Sequence, residues 1–304
     1  MQILETLVHE TVWGGDRLTK FSGTTATKIG HLYCCIDTSS MCSKIVYGTY
    51  EGKTIHEWFV DNKKKYKLER FQKFPVLMAL VDASENLSVQ VHPDDEMAGK
   101  MLNLPHGKNE SFYIMQAPIS GKMINGCAIK DYQLVKKHIL ESRCLEIIDY
   151  IDVGVGSYVY VTGGTLHAAT KGSLSFEIEE NCDSTFRFYD YDRCDKDGNK
   201  RPLQVNEALE CLDVTKQSVV SSYCPGKPIV ERMYSTQLLQ ANETYQNELG
   251  DFSILVVLHG EIEYEGIILT PGSALLLEND DLVHLGNCQA MLVKVFDNLD
   301  GEHK

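Results

Sequence analysis

Residues 87–110, LSVQVHPDDEMAGKMLNLPHGKNE, hold the side chains best suited to chemistry. Alternation places Leu87, Val89 and Val91 on one face of a strand, and Ser88, Gln90 and His92 on the other. Two ligand-type groups therefore point the same way. Pro93 removes a ladder donor and stops the strand just past its histidine, and Asp94 is placed to cap a short helix through Met97 and Met101. After Pro105 and Gly107 a second strand opens at Glu110, with Phe112 and Ile114 on the carboxylate's face and Ser111, Tyr113 and Met115 on the opposite one. Gln90, His92 and Glu110 can thus converge across neighbouring strands as nitrogen and oxygen donors for a divalent metal. A single strand histidine fits a hydrogen-bonded or surface group equally well, so the site needs a further member from elsewhere in the chain.

The elements that would position these groups are mostly strands. Residues 1–50 give short β-type runs with turn residues between them, among them Trp13-Gly14-Gly15-Asp16, and a run at 31–36. Thr54 caps a helix over 54–59, and Lys63, Lys64, Lys65 and Lys67 read as a solvated face. The apolar run FPVLMALVDA, 74–83, reads as a buried strand leading into 87–110. Tyr132, Val135, Ile139, Leu145 and Ile148 recur at helical spacing, which predicts a helical insertion near 131–151. Strand character returns at 158–161; Gly163 and Gly164 make a tight turn, and 165–169 continues with His167 projecting. Strands over 174–178 and 185–189 follow, then a helix marked by Val205, Ala208, Leu209 and Leu212.

From about Ile229 the chain is almost entirely short strands, at 252–258, 262–264, 267–269, 274–277 and 290–296. Gly156-Ser157 leads through strand and turn to His167, and Gly272-Ser273 leads likewise to His284. This echo predicts a mainly β fold of two jelly rolls. Residues 1–220 would form a catalytic barrel with the helical insertion, and 221–304 a smaller jelly-roll-like β domain in which His259 and His284 are structural.

The 304 residues, 43% of them hydrophobic, are enough for one large domain or two. A formal charge of -14 repels phosphate backbones and anionic lipid, which excludes nucleic acid and membrane surfaces as expected partners but leaves a small phosphorylated ligand if cations cluster locally. Ten irregularly spaced cysteines, none as Cys-x-x-Cys, read as reduced thiols. The opening MQILETLVHE has neither a basic region nor an apolar signal core, and no apolar run approaches the roughly 20 residues that cross a bilayer. A soluble, cytoplasmic protein is expected.

Gly156, Thr162, Gly164 and His167 resemble the second metal-binding motif of cupins, which usually has proline where Thr162 stands. Together with Gln90, His92 and Glu110, the runs LSVQVHPDDE, GKNESFYIM, GGTLHA and EIEENCDSTFRFYDYDR resemble the successive motifs of type I phosphomannose isomerase in its short bacterial form, over most of 50–212. The resemblance implies that Gln90, His92, Glu110 and His167 hold one Zn2+ per chain. It also implies that Glu177 and Arg187 are the acidic and basic active-site positions and that Lys108 matches the family's lysine before the glutamate ligand. The implied reaction interconverts mannose 6-phosphate and fructose 6-phosphate by moving a proton between C1 and C2 through an enediolate, with Glu177 as the base. As a carboxylate near zinc, Glu177 equally fits a clamp on a ligand.

The phosphate needs cations, and Lys100, Lys108, Arg187 and Arg193 supply them, with Ser88 adding a hydroxyl; Lys100 or Arg193 is the expected phosphate reader. Asp183 and Arg193 also fit a salt bridge within a strand pair. The chain departs from the family pattern in three further stretches. It reads Gly30-His31-Leu32-Tyr33 where the family usually has Gly-Glu-x-Trp. Glu179 and Glu180 stand where it has Gln-Gln, and Leu203-Gln204 where it has Leu-His. Alternation puts Glu179 on the face of Glu177 and Glu180 on the other. Two other readings are a metal-dependent cupin oxygenase with iron and a non-catalytic sugar-phosphate-binding paralogue. The expected oligomeric state is a monomer or weak dimer.

Overall fold

Period-two alternation of apolar and polar side chains builds three large antiparallel sheets, besides two two-stranded ribbons, in the computed structural model, which describes residues 1–195, 197–224 and 226–300. The central seven-stranded sheet runs in the order Val219–Ser222, Ser157–Val161, Glu110–Gln116, Leu174–Glu180, Val76–Asp82, Ile29–Cys35, Leu7–Gly15. Facing it is a five-stranded front sheet, in the order Phe186–Tyr189, Val89–Val91, His167–Ala168, Lys122–Cys127, Ile148–Asp152. A third, C-terminal sheet of seven strands contains Ile229–Val230, Tyr234–Leu239, Gln289–Val295, Phe252–His259, Ala274–Glu278, Gln2–Leu4 and Ile45–Tyr47. The fold is mainly β and cupin-like, with a small helical insertion.

The central sheet is covered on both sides. On one face Leu32, Met78, Leu80, Phe176 and Ile178 pack with Trp58, Phe74, Tyr234, Phe252 and Ile254, so the C-terminal sheet and the helix Ile55–Asn62 form its backing. That helix begins as expected at Thr54, whose hydroxyl accepts from the Glu57 N–H in a capping box. Each Phe or Trp fully buried here contributes about 2–3 kcal/mol of hydrophobic stabilisation. The other face looks toward the front sheet, whose own outer side is closed by the helices Tyr132–Leu140 and Val205–Cys211 through Val135, Ile139, Ala208 and Leu209. Among the described residues no helix is long and apolar enough to cross a membrane.

Three sequence expectations change. The helical insertion ends at Leu140, and after a 3-10 turn at Cys144–Glu146 the chain re-enters the front sheet as Ile148–Asp152, so Ile148 is a strand residue whose spacing only mimicked a helix. Trp13, Gly14 and Gly15 complete the strand Leu7–Gly15 instead of turning; Gly14 serves close packing, since a Cβ there would lie 2.5 Å from the Gly30 nitrogen. Finally, Gln2–Leu4 pairs with Ala274–Glu278 and with Ile45–Tyr47, so the N-terminal strand is stitched into the C-terminal sheet and a boundary at 220 divides the chain order but not the sheets.

Candidate functional site

The register of the central sheet gathers an unusual number of polar groups on its inner face. Glu179 lies opposite Glu110 on one side and Leu77 on the other, while Glu177 lies between Phe112 and Ala79, with Tyr33 beyond Ala79. One row further, His9 pairs with His31 and His31 with Val81. In the front sheet Gln90 is opposite both His167 and Arg187, so these three side chains form a row facing the central sheet. Between the two sheets lies a cleft lined by His9, His31, Tyr33, Leu77, Gln90, Glu110, Glu177, Glu179 and Arg187 together with Trp13, Ser88, Lys108, Asp183 and Arg201.

Backbone contacts lock the segments that carry the site. The strand Val89–Val91 ends before Pro93, and Asp94 caps the helix Asp95–Leu102 by accepting from the Met97 N–H at 3.0 Å. Lys108 N–H donates to the Pro93 carbonyl at 2.9 Å, and Gly164 N–H donates to the His92 carbonyl at 2.8 Å. Gly107 and Gly163 permit this approach, because a Cβ on either would fall within 2.6 Å of the Pro93 oxygen. The histidine stop, the lysine loop and the Gly-Gly turn before His167 are thus one interlocked unit.

His92, Glu110 and His167 each offer a donor atom within 4.8 Å of the others, and all three are buried. His92 Nδ1 lies 2.9 Å from the Ser184 carbonyl and His167 Nδ1 lies 2.9 Å from the Thr165 carbonyl. A carbonyl only accepts, so both Nδ1 atoms carry the proton and each Nε2 presents a lone pair inward. Those lone pairs meet the Glu110 carboxylate, His92 Nε2 at 3.0 Å from Oε2 and His167 Nε2 at 2.8 Å from Oε1. Neither His92 Nε2 nor Glu110 Oε1 has a hydrogen bond. Burial, followed by the Lys108 ammonium, pushes the His92 imidazole down to about 4, so at neutral pH it does not supply the missing proton. Acceptors facing acceptors in a buried site fit a cation between them, and two imidazoles, a carboxylate and an amide are a donor set for a borderline divalent ion. The fourth member, Gln90, has its amide 3.4 Å from His167 Nε2, and an amide presents either its oxygen or its nitrogen by a half-turn.

Charge supports the same fit. Glu110, Glu177 and Glu179 are all buried, and the cation among them is Lys108, 3.6 Å from Glu110 and ion-paired to Glu179. Burial works against the lysine's charge, but Glu179, Glu110 and Glu177 outweigh it and hold its pKa well above the ordinary value. Glu177 is pushed well above the carboxylate range by burial and by Glu179 and Glu110, and its Oε2 has no hydrogen-bond partner. Of the two, Glu177 is the carboxyl whose surroundings favour the proton, and Glu179, beside the lysine, the one whose surroundings favour the charge.

Arg187 makes no side-chain hydrogen bond or ion pair among the described residues, and its buried Nε is without a partner. Burial and the neighbouring Arg201 guanidinium depress its pKa, as two cations sharing one wall must. Arg201 donates to Asp190 at 2.6 and 2.7 Å and to the Ser88 hydroxyl at 2.8 Å. An unpartnered guanidinium next to a second cation and a hydroxyl can take an anion.

Two expected phosphate readers stand elsewhere. Lys100 is exposed on the helix Asp95–Leu102, 3.9 Å from Glu210. Arg193 is tied to the Asp190 side chain and carbonyl and to the Asn86 carbonyl, so its ion pair is with Asp190 and not with Asp183. Asp183 is exposed at the cleft edge. Glu179 faces the cleft, whereas Glu180 turns to the backing side and clamps Arg232. Gln204 caps the Arg187 N–H at 3.3 Å. His284 is exposed and bonded to Thr244, and His259 is exposed. Sequence reasoning passed over Arg201, since the direction of a loop side chain carries no periodic signal. It also passed over the His9, His31 and Tyr33 row, whose alternation was visible but whose register against Glu177 was not.

A family profile described as phosphomannose isomerase type I, catalytic domain, matches residues 1–119. The chain is 34% identical over 213 residues to the probable mannose-6-phosphate isomerase GmuF of Bacillus subtilis strain 168, covering 69% of this chain and 68% of that protein. It is 30% identical over 232 residues to mannose-6-phosphate isomerase ManA of the same organism, covering 76% and 73%. The solved structure of the mannose 6-phosphate isomerase from Bacillus subtilis superimposes with a TM-score of 0.82 at 26% identity, over 97% of this chain and 99% of that one. A relative of that identity and coverage, matched along nearly the whole fold, places the chain in the type I phosphomannose isomerase family.

Proposed function

We propose that the protein is a zinc-dependent aldose-ketose isomerase that interconverts mannose 6-phosphate and fructose 6-phosphate. The observation that carries the reading is the cleft itself. It joins a buried His92–Glu110–His167 cluster and the Glu177 carboxyl, whose pKa is raised, to an unpartnered Arg187 on the front-sheet wall. Family membership supplies the substrate class.

Gln90, His92, Glu110 and His167 would hold the metal, which when bound supplies Lewis acidity and fixed orientation for the sugar oxygens. Arg187 and Arg201, with the Ser88 hydroxyl, bind the phosphate at the other end of the cleft, and this anchor orients the sugar carbons. Ionised Glu177 takes the proton from the carbon next to the carbonyl and returns it to the neighbouring carbon; burial and the nearby Glu179 and Glu110 carboxylates raise its pKa and so strengthen it as a base. Lys108, kept charged by Glu179 and Glu110, stabilises the negative charge of the enediolate from beside the site. Residues 1–220 would carry this chemistry and 221–304 would back the central sheet.

A coupled assay that follows fructose 6-phosphate formation from mannose 6-phosphate tests the reading. Turnover is expected, lost with chelator and restored by Zn2+. Binding of the sugar phosphate without turnover in the metal-loaded protein would identify a non-catalytic paralogue and sink the isomerase assignment.

A further inference from the structure

Glu177 is the group that must aim a proton at carbon, yet nothing described above holds its carboxyl in place. Its Oε2 is buried with no hydrogen bond. The neighbours on its own sheet face cannot do it. Ala79 and Phe112, on either side, are apolar. Glu179 is ion-paired to Lys108, and its contact with Glu177 raises that carboxyl's pKa without covering Oε2. A polar group that does reach toward the uncovered oxygen is His31, whose Nε2 stands 3.8 Å from Glu177 Oε2.

His31 is itself held rigidly. Its ring stacks between His9 at 5.6 Å and Tyr33 at 5.2 Å, and the Trp13 ring meets it edge-on at 5.1 Å. Three aromatic contacts fix the ring plane, so the direction of the Nε2–H vector is set before substrate arrives. Burial lowers its pKa to about 4, so it is a neutral imidazole at physiological pH. Its Nδ1 is buried without a partner. With the proton on Nε2, the atom left uncovered is an acceptor, while the donor points at the carboxyl oxygen that lacks one.

We propose that His31 is the positioning residue for Glu177: its Nε2–H donates to Oε2, fixing the carboxyl rotation so that Oε1 is the atom that takes and returns the substrate proton. The inference rests on the isomerase reading. At 3.8 Å the pair is open by less than an ångström relative to a hydrogen bond, and a small rotation of the carboxyl on substrate binding closes it. His31 touches neither the phosphate pair nor the His92–Glu110–His167 cluster, so its contribution belongs to the chemical step and not to binding.

Ring geometry provides the test. His31→Phe keeps the aromatic stack and removes the nitrogens. A glutamine amide nitrogen reaches about as far from Cβ as imidazole Nε2 does, whereas an asparagine amide reaches only as far as Nδ1. Purified wild type, His31→Phe, His31→Gln and His31→Asn are compared in the Zn2+-loaded state for kcat and KM with mannose 6-phosphate, with metal content measured on each. The expected result is a kcat lower by about 10- to 100-fold in His31→Phe and His31→Asn, with KM and metal content unchanged and kcat partly recovered in His31→Gln. A His31→Phe enzyme with wild-type kcat overturns the inference, as does an equal loss in Phe and Gln variants or a loss confined to KM. Wild-type protein without turnover overturns the isomerase reading and this inference with it, whereas an active wild type indifferent to His31 overturns this inference alone.

Discussion

Removing and restoring the metal has a stability signature that the site geometry dictates. Without a cation, the lone pairs of His92 and His167 face the Glu110 oxygens at 3.0 and 2.8 Å, and three buried carboxylates share Lys108 as their cation. A divalent ion that binds this arrangement and not the unfolded chain stabilises the fold by roughly 4 kcal/mol when its free concentration is about a thousand times its Kd. In a chain of this length each kcal/mol raises Tm by about 2 °C, so the shift between chelator-treated and Zn2+-loaded protein is about 8 °C. The assay is a thermal melt with chelator, then with Zn2+ at saturation. Glu110→Gln gives a second, opposite sign. Its amide nitrogen donates to an imidazole lone pair and removes a buried charge, so the chelated variant melts above chelated wild type, while its rise with Zn2+ is largely lost. A wild-type Tm that does not respond to Zn2+, or a Glu110→Gln variant that responds as wild type does, would refute a cation site at Glu110.

Other consequences follow from the two cations and from the domain contact. Arg201→Ala removes a charge-assisted donor from the proposed phosphate pair while Arg193 still holds Asp190, so the fold is retained and KM for mannose 6-phosphate rises by about 10- to 100-fold, measured by steady-state kinetics. The expectation for Lys100→Ala is the reverse of the sequence reading: an exposed helix position 3.9 Å from Glu210 leaves KM within about twofold. At the contact with the C-terminal sheet, burial foremost and then Glu180 raise Glu231 to about 7, against the Tyr158 hydroxyl that donates to it at 3.1 Å. A raised folded pKa means stability that is full below the unfolded value and is lost as pH climbs toward 7. Denaturant unfolding at pH 5 and pH 8 therefore shows a smaller difference in Glu231→Gln than in wild type, and equal differences would remove Glu231 as the cause.

Much of the site was legible because alternation is a strong constraint in strands buried on both faces. Gln90 and His92 on one side of Val89–Val91, Glu110 at the head of its strand, and the opposite senses of Glu179 and Glu180 all follow from a period of two. The caps at Thr54 and Asp94 were equally local. What alternation lacks is register. That His31 comes to face Glu177 depends on two successive pairings, Ile29–Cys35 with Val76–Asp82 and Val76–Asp82 with Leu174–Glu180, and the shift between Tyr33 and Cys35 has no sequence mark. The proposed phosphate side differs from the sequence expectation for a related reason. Arg193 and Arg201 both follow the strand Phe186–Tyr189, and the choice between them is made by loop geometry around Asp190, where Tyr191 and Asp192 take successive positive φ values of 55° and 54°.

His31, Glu177 and Glu179 also bring donor atoms within 4.8 Å of one another, so geometry alone would allow two metal ions in the cleft. Charge decides between the clusters. Glu179 is already paired with Lys108, whose three hydrogens no metal can share, whereas His92, Glu110 and His167 turn only acceptors toward one another. Even if all three carboxylates were ionised, a divalent ion at Glu110 together with Lys108 would cancel their charge. A second ion would then enter a neutral pocket beside an ammonium, with no net charge left to attract it. One metal and one lysine therefore divide the carboxylates into distinct roles: Glu110 for the ion, Glu179 for the lysine, and Glu177, flanked by the apolar Ala79 and Phe112, left free to exchange a proton.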